Sequence, residues 1–219
     1  MSRTITVKGI GKVLVRPDYV VLSMDLVSQD MNYDTAMEFA AKNIERLNES
    51  LMGVGFEKES VKTTNFNVDT DYDGEHQKDG SYKRIFKGYV VRHNLKVSFD
   101  FDSKRLSNAL SAVGICLAHP QLSVAFTVKD STSINEEMLK SATENAKRKA
   151  EILCKASGVE LGSLLTIDYN WGELNIYSDT RYDIADECLA SPMINASAIE
   201  IEPDDIDVSD TATFVWEMK

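Results

Sequence analysis

Apolar positions along the 219-residue chain follow two spacings, and each switch between them marks an element. Ile5 and Val7 alternate with polar residues over 3–8, the period-two pattern of a half-buried strand. Gly9 and Gly11 interrupt this run as an expected strand bend or bulge, Lys12 to Val15 resumes it, and Pro17 punctuates it. Tyr19 to Ser28 is again extended, with Leu22, Met24 and Leu26 on one face and Val21, Asp25 and Val27 on the other. The spacing then lengthens. Ala36, Phe39, Ala40, Ile44, Leu47 and Leu51 form one stripe of an amphipathic helix over 33–53. Asn32 or Asp34 is its expected N-cap and Gly53 or Gly55 its stop.

Val61 to Asp71 and Lys83 to Phe101 are β-rich runs around a polar tip at 73–81, which predicts a long hairpin. A short helix is expected over Ser103 to Val113, burying Leu106, Leu110 and Val113, with Gly114 to stop it. Leu122 to Val128 alternates as a strand. Ser133 to Ala156 is the strongest helix, with a narrow stripe of Met138, Ala142, Ala146, Ala150 and Leu153, a cap at Ser131 or Ser133, and a stop at Gly158. Leu164 to Tyr169 is a strand, 172–195 is mixed and polar, and short β runs close the chain at Ala196 to Ile201 and Thr211 to Met218.

The order repeats. Strand 19–28, helix 33–53, strand 61–71 and strand 83–101 form one β-α-β-β unit; strand 122–128, helix 133–157, strand 163–169 and a strand near 208–218 form another. The helix exits SLMGVGFE and CKASGVELG are alike. Either a duplication or two halves solving one packing problem produces this pattern. The expected fold class is α+β: antiparallel sheet covered by two long helices and one short one. The expected organisation is a single domain over 1–219, with possible halves at 1–115 and 116–219.

A hydrophobic content of 43% and a charged content of 27% support a packed core without disulfides or metals. The formal charge of −11 repels phosphate backbones and anionic lipid, so nucleic-acid and membrane-surface binding are disfavoured. Cys116, Cys154 and Cys188 form no CxxC pair, and their odd number excludes a fully paired framework. The start MSRTITVKGIGKV has no apolar signal core, and no run of 18 apolar residues occurs, so a cytoplasmic location without a membrane span is expected.

Candidate chemistry is sparse. Gly9-Ile10-Gly11 is followed by a strand, not by the helix a dinucleotide fingerprint requires. Asp69, Asp71 and Asp73 before Gly74 copy the first half of a calcium-binding EF-hand loop, but the twelfth position is Gly80 rather than Glu. These three carboxylates are the one metal candidate, a site for weak calcium binding. His76, His93 and His119 show no i, i+4 pair; His119 with Cys116 and distant ligands is the only zinc alternative. No GxSxG elbow occurs, Cys154 sits near a helix C-terminus where the dipole opposes a thiolate, and Cys116 reads as core. Glu200, Glu202, Asp204, Asp205 and Asp207 read as a solvated acidic turn. No catalytic residue and no cofactor is assigned.

Several segments together resemble the SIMPL-domain family. They are Gly9-x-Gly11 followed by Pro17-Asp18; Lys62-Thr63-Thr64-Asn65-Phe66; Gly88-Tyr89 with Arg92-His93-Asn94-Leu95-Lys96-Val97; and the helix Ala142 to Ala156 closing in Gly158-Val159-Glu160-Leu161-Gly162. The resemblance extends over 3–218. It implies a family widespread in bacteria with no established catalytic activity, an animal member that associates with a signalling kinase, members that are often exported, and some that assemble into rings. The expected function is therefore a non-catalytic, self-assembling or partner-binding module, a homo-oligomer linked to stress or signalling. Strand 83–101 is the expected pairing edge, and the Ala142, Ala146 and Ala150 stripe is expected to pack on the sheet rather than between subunits. The alternative is a small-ligand-binding protein or enzyme with a pocket between the halves.

Overall fold

A computed structural model describes residues 3–76, 82–169, 176–184 and 201–219. In chain order its elements are β1 (Arg3–Val15), β2 (Tyr19–Asp30), α1 (Tyr33–Met52), β3 (Lys62–His76), β4 (Tyr82–Asp100), α2 (Ser103–Gly114), β5 (Gln121–Thr127), α3 (Ser131–Ala156), β6 (Leu161–Asp168), β7 (Tyr177–Ile184) and β8 (Ile206–Met218). Among the described residues the strands make two antiparallel sheets, in the orders β1-β8-β6 and β3-β4-β2-β5-β7. The fold class is α+β.

The chain divides into two compact units. One comprises Met1–Asp18, Thr127–Asp179 and Pro203–Lys219; the other comprises Tyr19–Phe126 and Thr180–Glu202. The boundary at 115/116 considered for two halves falls inside the second unit. The repeat is realised unevenly. β2, α1, β3 and β4 lie together in one unit, whereas β5 joins the five-stranded sheet and α3, β6 and β8 belong with β1. The likeness of the helix exits is real in backbone terms. Gly55 (φ +92°) and Gly158 (φ +71°) both take the left-handed conformation. Phe56 N–H donates to Leu51 and Gly55 N–H to Met52; Val159 N–H donates to Cys154 and Gly158 N–H to Lys155. Both exits are thus Schellman motifs, which satisfy helix-end carbonyls at a residue without Cβ strain.

In the second unit α1 and α2 cover one face of the sheet. Val20, Leu22, Met24 and Leu26 from β2, Leu95, Val97 and Phe99 from β4, and Leu122, Val124 and Phe126 from β5 build the core with Leu47, Leu51, Leu106 and Leu110. Asn32 caps α1, its side chain accepting from the Asp34 and Thr35 amides. Phe39 does not join the stripe: it is exposed, and Ala36, Ala40, Leu47 and Leu51 alone are buried, because a helix lying on a flat sheet hides only a narrow arc.

In the first unit α3 lies on β1 and β8. Its buried residues recur every fourth position: Ile134, Met138, Ala142, Ala146, Ala150 and Cys154. Cys154 thus takes the place expected for Leu153, which is exposed. Asp130, not Ser131 or Ser133, caps the helix and accepts from the Thr132 amide. Gly9 and Gly11 neither bend nor bulge β1. The β1–β8 register runs unbroken from Arg3↔Met218 to Val15↔Ile206. Both glycines lie beneath α3: a Cβ on Gly9 would sit 2.1 Å from the Ala142 carbonyl oxygen, and one on Gly11 2.4 Å from that of Met138. Gly in the strand and Ala in the helix are one device that lets two backbones approach closely. The alanine stripe is therefore used within the fold, as expected.

The mixed segment 172–195 contributes Ile176 and β7, while 172–175 and 185–195, the expected run at 196–200 and tip residues 77–81 lie outside the described residues. No helix among the described residues is long and apolar enough to cross a membrane.

Candidate functional site

The calcium candidate is laid out flat. Asp69, Asp71 and Asp73 occupy alternate positions of β3, so the outer two are about 13 Å apart along an extended strand. A calcium ion needs its oxygens at about 2.3–2.6 Å, which three carboxylates so spaced do not supply together. Each has a protein partner instead. Asp69 pairs with Arg92 at 3.1 Å, Asp71 accepts from Gln29 at 3.2 Å, and Asp73 lies 3.4 Å from the Lys87 amine. Among the described residues no group of three or more His, Cys, Asp or Glu side chains is placed to hold a metal. Cys116 is buried in the core, and His119 is an exposed turn residue with φ +46° whose amide donates to the Cys116 carbonyl at 3.0 Å. Cys154 is buried too, and Cys188 and Glu200 lie outside the described residues.

Asp204, Asp205 and Asp207 border an acidic hollow of about 350 Å³ together with Asp179 and Tyr177. A second hollow, of about 440 Å³, runs along α1 between Ile44, Asn48, Met52 and Lys58. Glu45 and Glu49 also line this second hollow.

The segments of β3 and β4 quoted above for their resemblance meet across one ladder. Phe66 stands opposite His93, Asn65 opposite Asn94, and Thr63 opposite Leu95. The Thr63 hydroxyl and His93 Nε2 are 2.8 Å apart, the Phe66 and His93 rings meet edge to face, and Asn65 donates to Asn94, which donates to Asp25 on β2. Partial burial lowers the His93 pKa below its usual value, keeping the ring neutral near pH 7. Gly88, which precedes Tyr89, sits where a Cβ would fall 2.5 Å from the Asp30 carbonyl oxygen. A model of the SIMPL family, described as a protein of unknown function (DUF541), matches residues 5–216. The chain belongs to the SIMPL family. No curated protein matches it. In this SIMPL chain the segments around Phe66 and His93 are neighbours on β3 and β4, with an irregularity in register between Thr63 and Asn65.

Strand edges remain as the sites of unspent bonding capacity. β4 is not one of them: it is paired on both sides, by β3 and β2. Its length suggested an edge, but a strand flanked by two long partners is the centre of a ladder. The outer strands of the described sheets are β1, β6, β3 and β7. The free side of β1 is closed by α3. The Ile10 amide donates to Asn145, the Lys12 amide to Ser141, and the Lys149 amine to the Lys8 carbonyl. β3 carries Asp69, Asp71 and Asp73 and irregular register at Thr63/Asn65 and Asp71/Tyr72. β7 carries Asp179, Arg181 and Asp183. Charges of this kind discourage pairing with a foreign strand; irregular register does not separate the edges, since β6 has it too, at Leu161/Leu164 and Leu164/Thr166. β6, LGSLLTID, has one charge, at its end. Leu164, Leu165, Ile167 and the adjoining Tyr169 are 44%, 51%, 53% and 48% exposed. Leu164 pairs with Trp216 and Ile167 with Phe214, the apolar row on which α3 sits; the Leu165 position is set off by an irregularity in register. β6 extends that row past the helix.

Proposed function

We propose that this protein is a non-catalytic assembly module that pairs with another chain through the outer edge of β6. The observation that supports the reading is the contrast among the outer strands of the described sheets: β1 is capped by α3, β3 and β7 carry several charges, and β6 carries one charge and an exposed apolar row. Backbone hydrogen bonds supply affinity at such an edge and alternate side chains supply specificity. Among the described residues the candidate carboxylates are spread along β3, and Cys116 and Cys154 are buried. Hydrogen–deuterium exchange at low and high protein concentration tests the reading. Amides of residues 163–168 gain protection as concentration rises, while those of β3 do not. Equal exchange of β6 at every concentration contradicts it.

A further inference from the structure

We infer that Asp73–Gly74 in β3 is a site of self-modification, where the backbone closes on the aspartate side chain to a succinimide that opens to isoaspartate. This step is independent of the proposed pairing role of β6. Gly74 N–H donates to Asp73 Oδ1 at 2.8 Å, so the backbone nitrogen already lies against the carboxyl group it attacks. The other oxygen, Oδ2, lies 3.4 Å from the Lys87 amine. The carboxyl group is therefore held at both oxygens, by the nucleophile on one side and by a proton donor on the other. The Gly74 nitrogen bonds to Asp73 Cγ, and the bond from Cγ to Oδ2 breaks. Oδ2 leaves as water, with one proton from the amide nitrogen and one from Lys87 or solvent. Water then adds to the main-chain carbonyl carbon of Asp73 and breaks its bond to the Gly74 nitrogen, which leaves isoaspartate.

Among the described residues Asp204 and Asp210 also accept the amide of the next residue: Asp205 N–H donates to Asp204 at 3.0 Å and Thr211 N–H to Asp210 at 2.6 Å. In both cases the next residue carries a Cβ that crowds the closing ring, which Gly74 lacks. Asp210 also lies in β8, the middle strand of its sheet, opposite Gly11. β3 is an outer strand with irregular register at Asp71/Tyr72, so its backbone turns without breaking a ladder on a second side. The Asp73 side chain is 65% exposed, so water reaches the ring. Isoaspartate carries the backbone through Cβ and Cγ, one atom longer than before. Gly74, Glu75 and His76 then lose their places opposite Arg84, Lys83 and Tyr82.

Ageing the folded full chain at neutral pH and mapping its tryptic peptides by mass spectrometry tests the site. Cleavage after Lys62 and Lys78 isolates Asp73–Gly74 in peptide 63–78, apart from the second Asp-Gly sequence at 79–80, and peptide 182–219 carries Asp204 and Asp210. A fraction of peptide 63–78 becomes one water lighter. An isomer of unchanged mass follows, and its fragmentation places isoaspartate at 73. This isomer accumulates at least about tenfold faster than isoaspartate at Asp204 or Asp210. It forms at least as fast in the folded chain as in urea, because the native contact holds the reacting atoms together. Asp73→Glu closes the smaller ring no longer and loses both products, while its circular dichroism matches that of the wild type. Isoaspartate at 73 that is absent, that forms only in urea, or that is no faster than at Asp204 and Asp210 overturns the inference.

Discussion

The contact of α3 with β1 makes a quantitative prediction about Gly9→Ala. The added methyl carbon would lie 2.1 Å from the Ala142 carbonyl oxygen and 2.8 Å from the Ala146 Cβ. Restoring an ordinary 3.4 Å contact requires the helix to lift by about 1.3 Å. That shift stretches the bonds from Ile10 N–H to Asn145 (3.1 Å) and from Lys12 N–H to Ser141 (3.2 Å) beyond useful length. Overpacking costs about 1–3 kcal/mol and each lost bond about 0.5–1.5 kcal/mol. The lower entropy of the unfolded chain returns about 0.4–1 kcal/mol. The net loss is about 3 kcal/mol, or about 6–12 °C in Tm for a chain of this size. Gly53→Ala is the control. Gly53 has φ −59° and its Cβ position meets nothing closer than 3.4 Å, so alanine there is neutral or stabilising by up to about 1 kcal/mol. Denaturant unfolding of both variants measures the difference. A Gly9→Ala protein within about 0.5 kcal/mol of wild type refutes the close-approach argument.

Further outcomes follow from single groups. Asp130→Ala costs about 1 kcal/mol because it frees the Thr132 amide, whereas Ser131→Ala costs less than about 0.5 kcal/mol; equal effects would reject Asp130 as the cap. Burial depresses the His93 pKa, so the unfolded chain binds a proton more readily than the folded one. The contribution of His93 is full above the unfolded value of about 6.5 and is lost as pH falls from there toward the lower folded pKa. Unfolding free energies of wild type and His93→Gln, measured from about pH 7.5 down to about pH 5.5, therefore diverge less at the acid end; parallel curves would contradict it. Millimolar calcium shifts Tm by less than about 1 °C, since Asp69, Asp71 and Asp73 are spread along β3; a rise of several degrees would show that they converge on the ion.

Local physics was readable in the sequence, and long-range pairing was not. Alternation in 19–28 located β2 and its buried face, and the four-residue recurrence of Met138, Ala142, Ala146 and Ala150 located α3 and the face it hides. The reason for those alanines was out of reach, because their counterparts Gly9 and Gly11 lie more than a hundred residues away and a glycine in a strand looks locally like a bend. Phe39 and Leu153 were misplaced because a stripe at three and four residues has a width that only the opposing surface sets. The family was legible in segments that include those around Phe66 and His93, which lie side by side on β3 and β4. The candidate site was the least legible part. Edge status depends on sheet order, so the longest strand, β4, drew attention, while the short β6 read only as a strand.

Absolute molar mass by light scattering, taken over a wide range of protein concentration, tests the central claim most directly. Assembly through β6 predicts a mass that rises above the 24.5 kDa of a single chain as concentration increases. A mass fixed at a single chain throughout the range contradicts it.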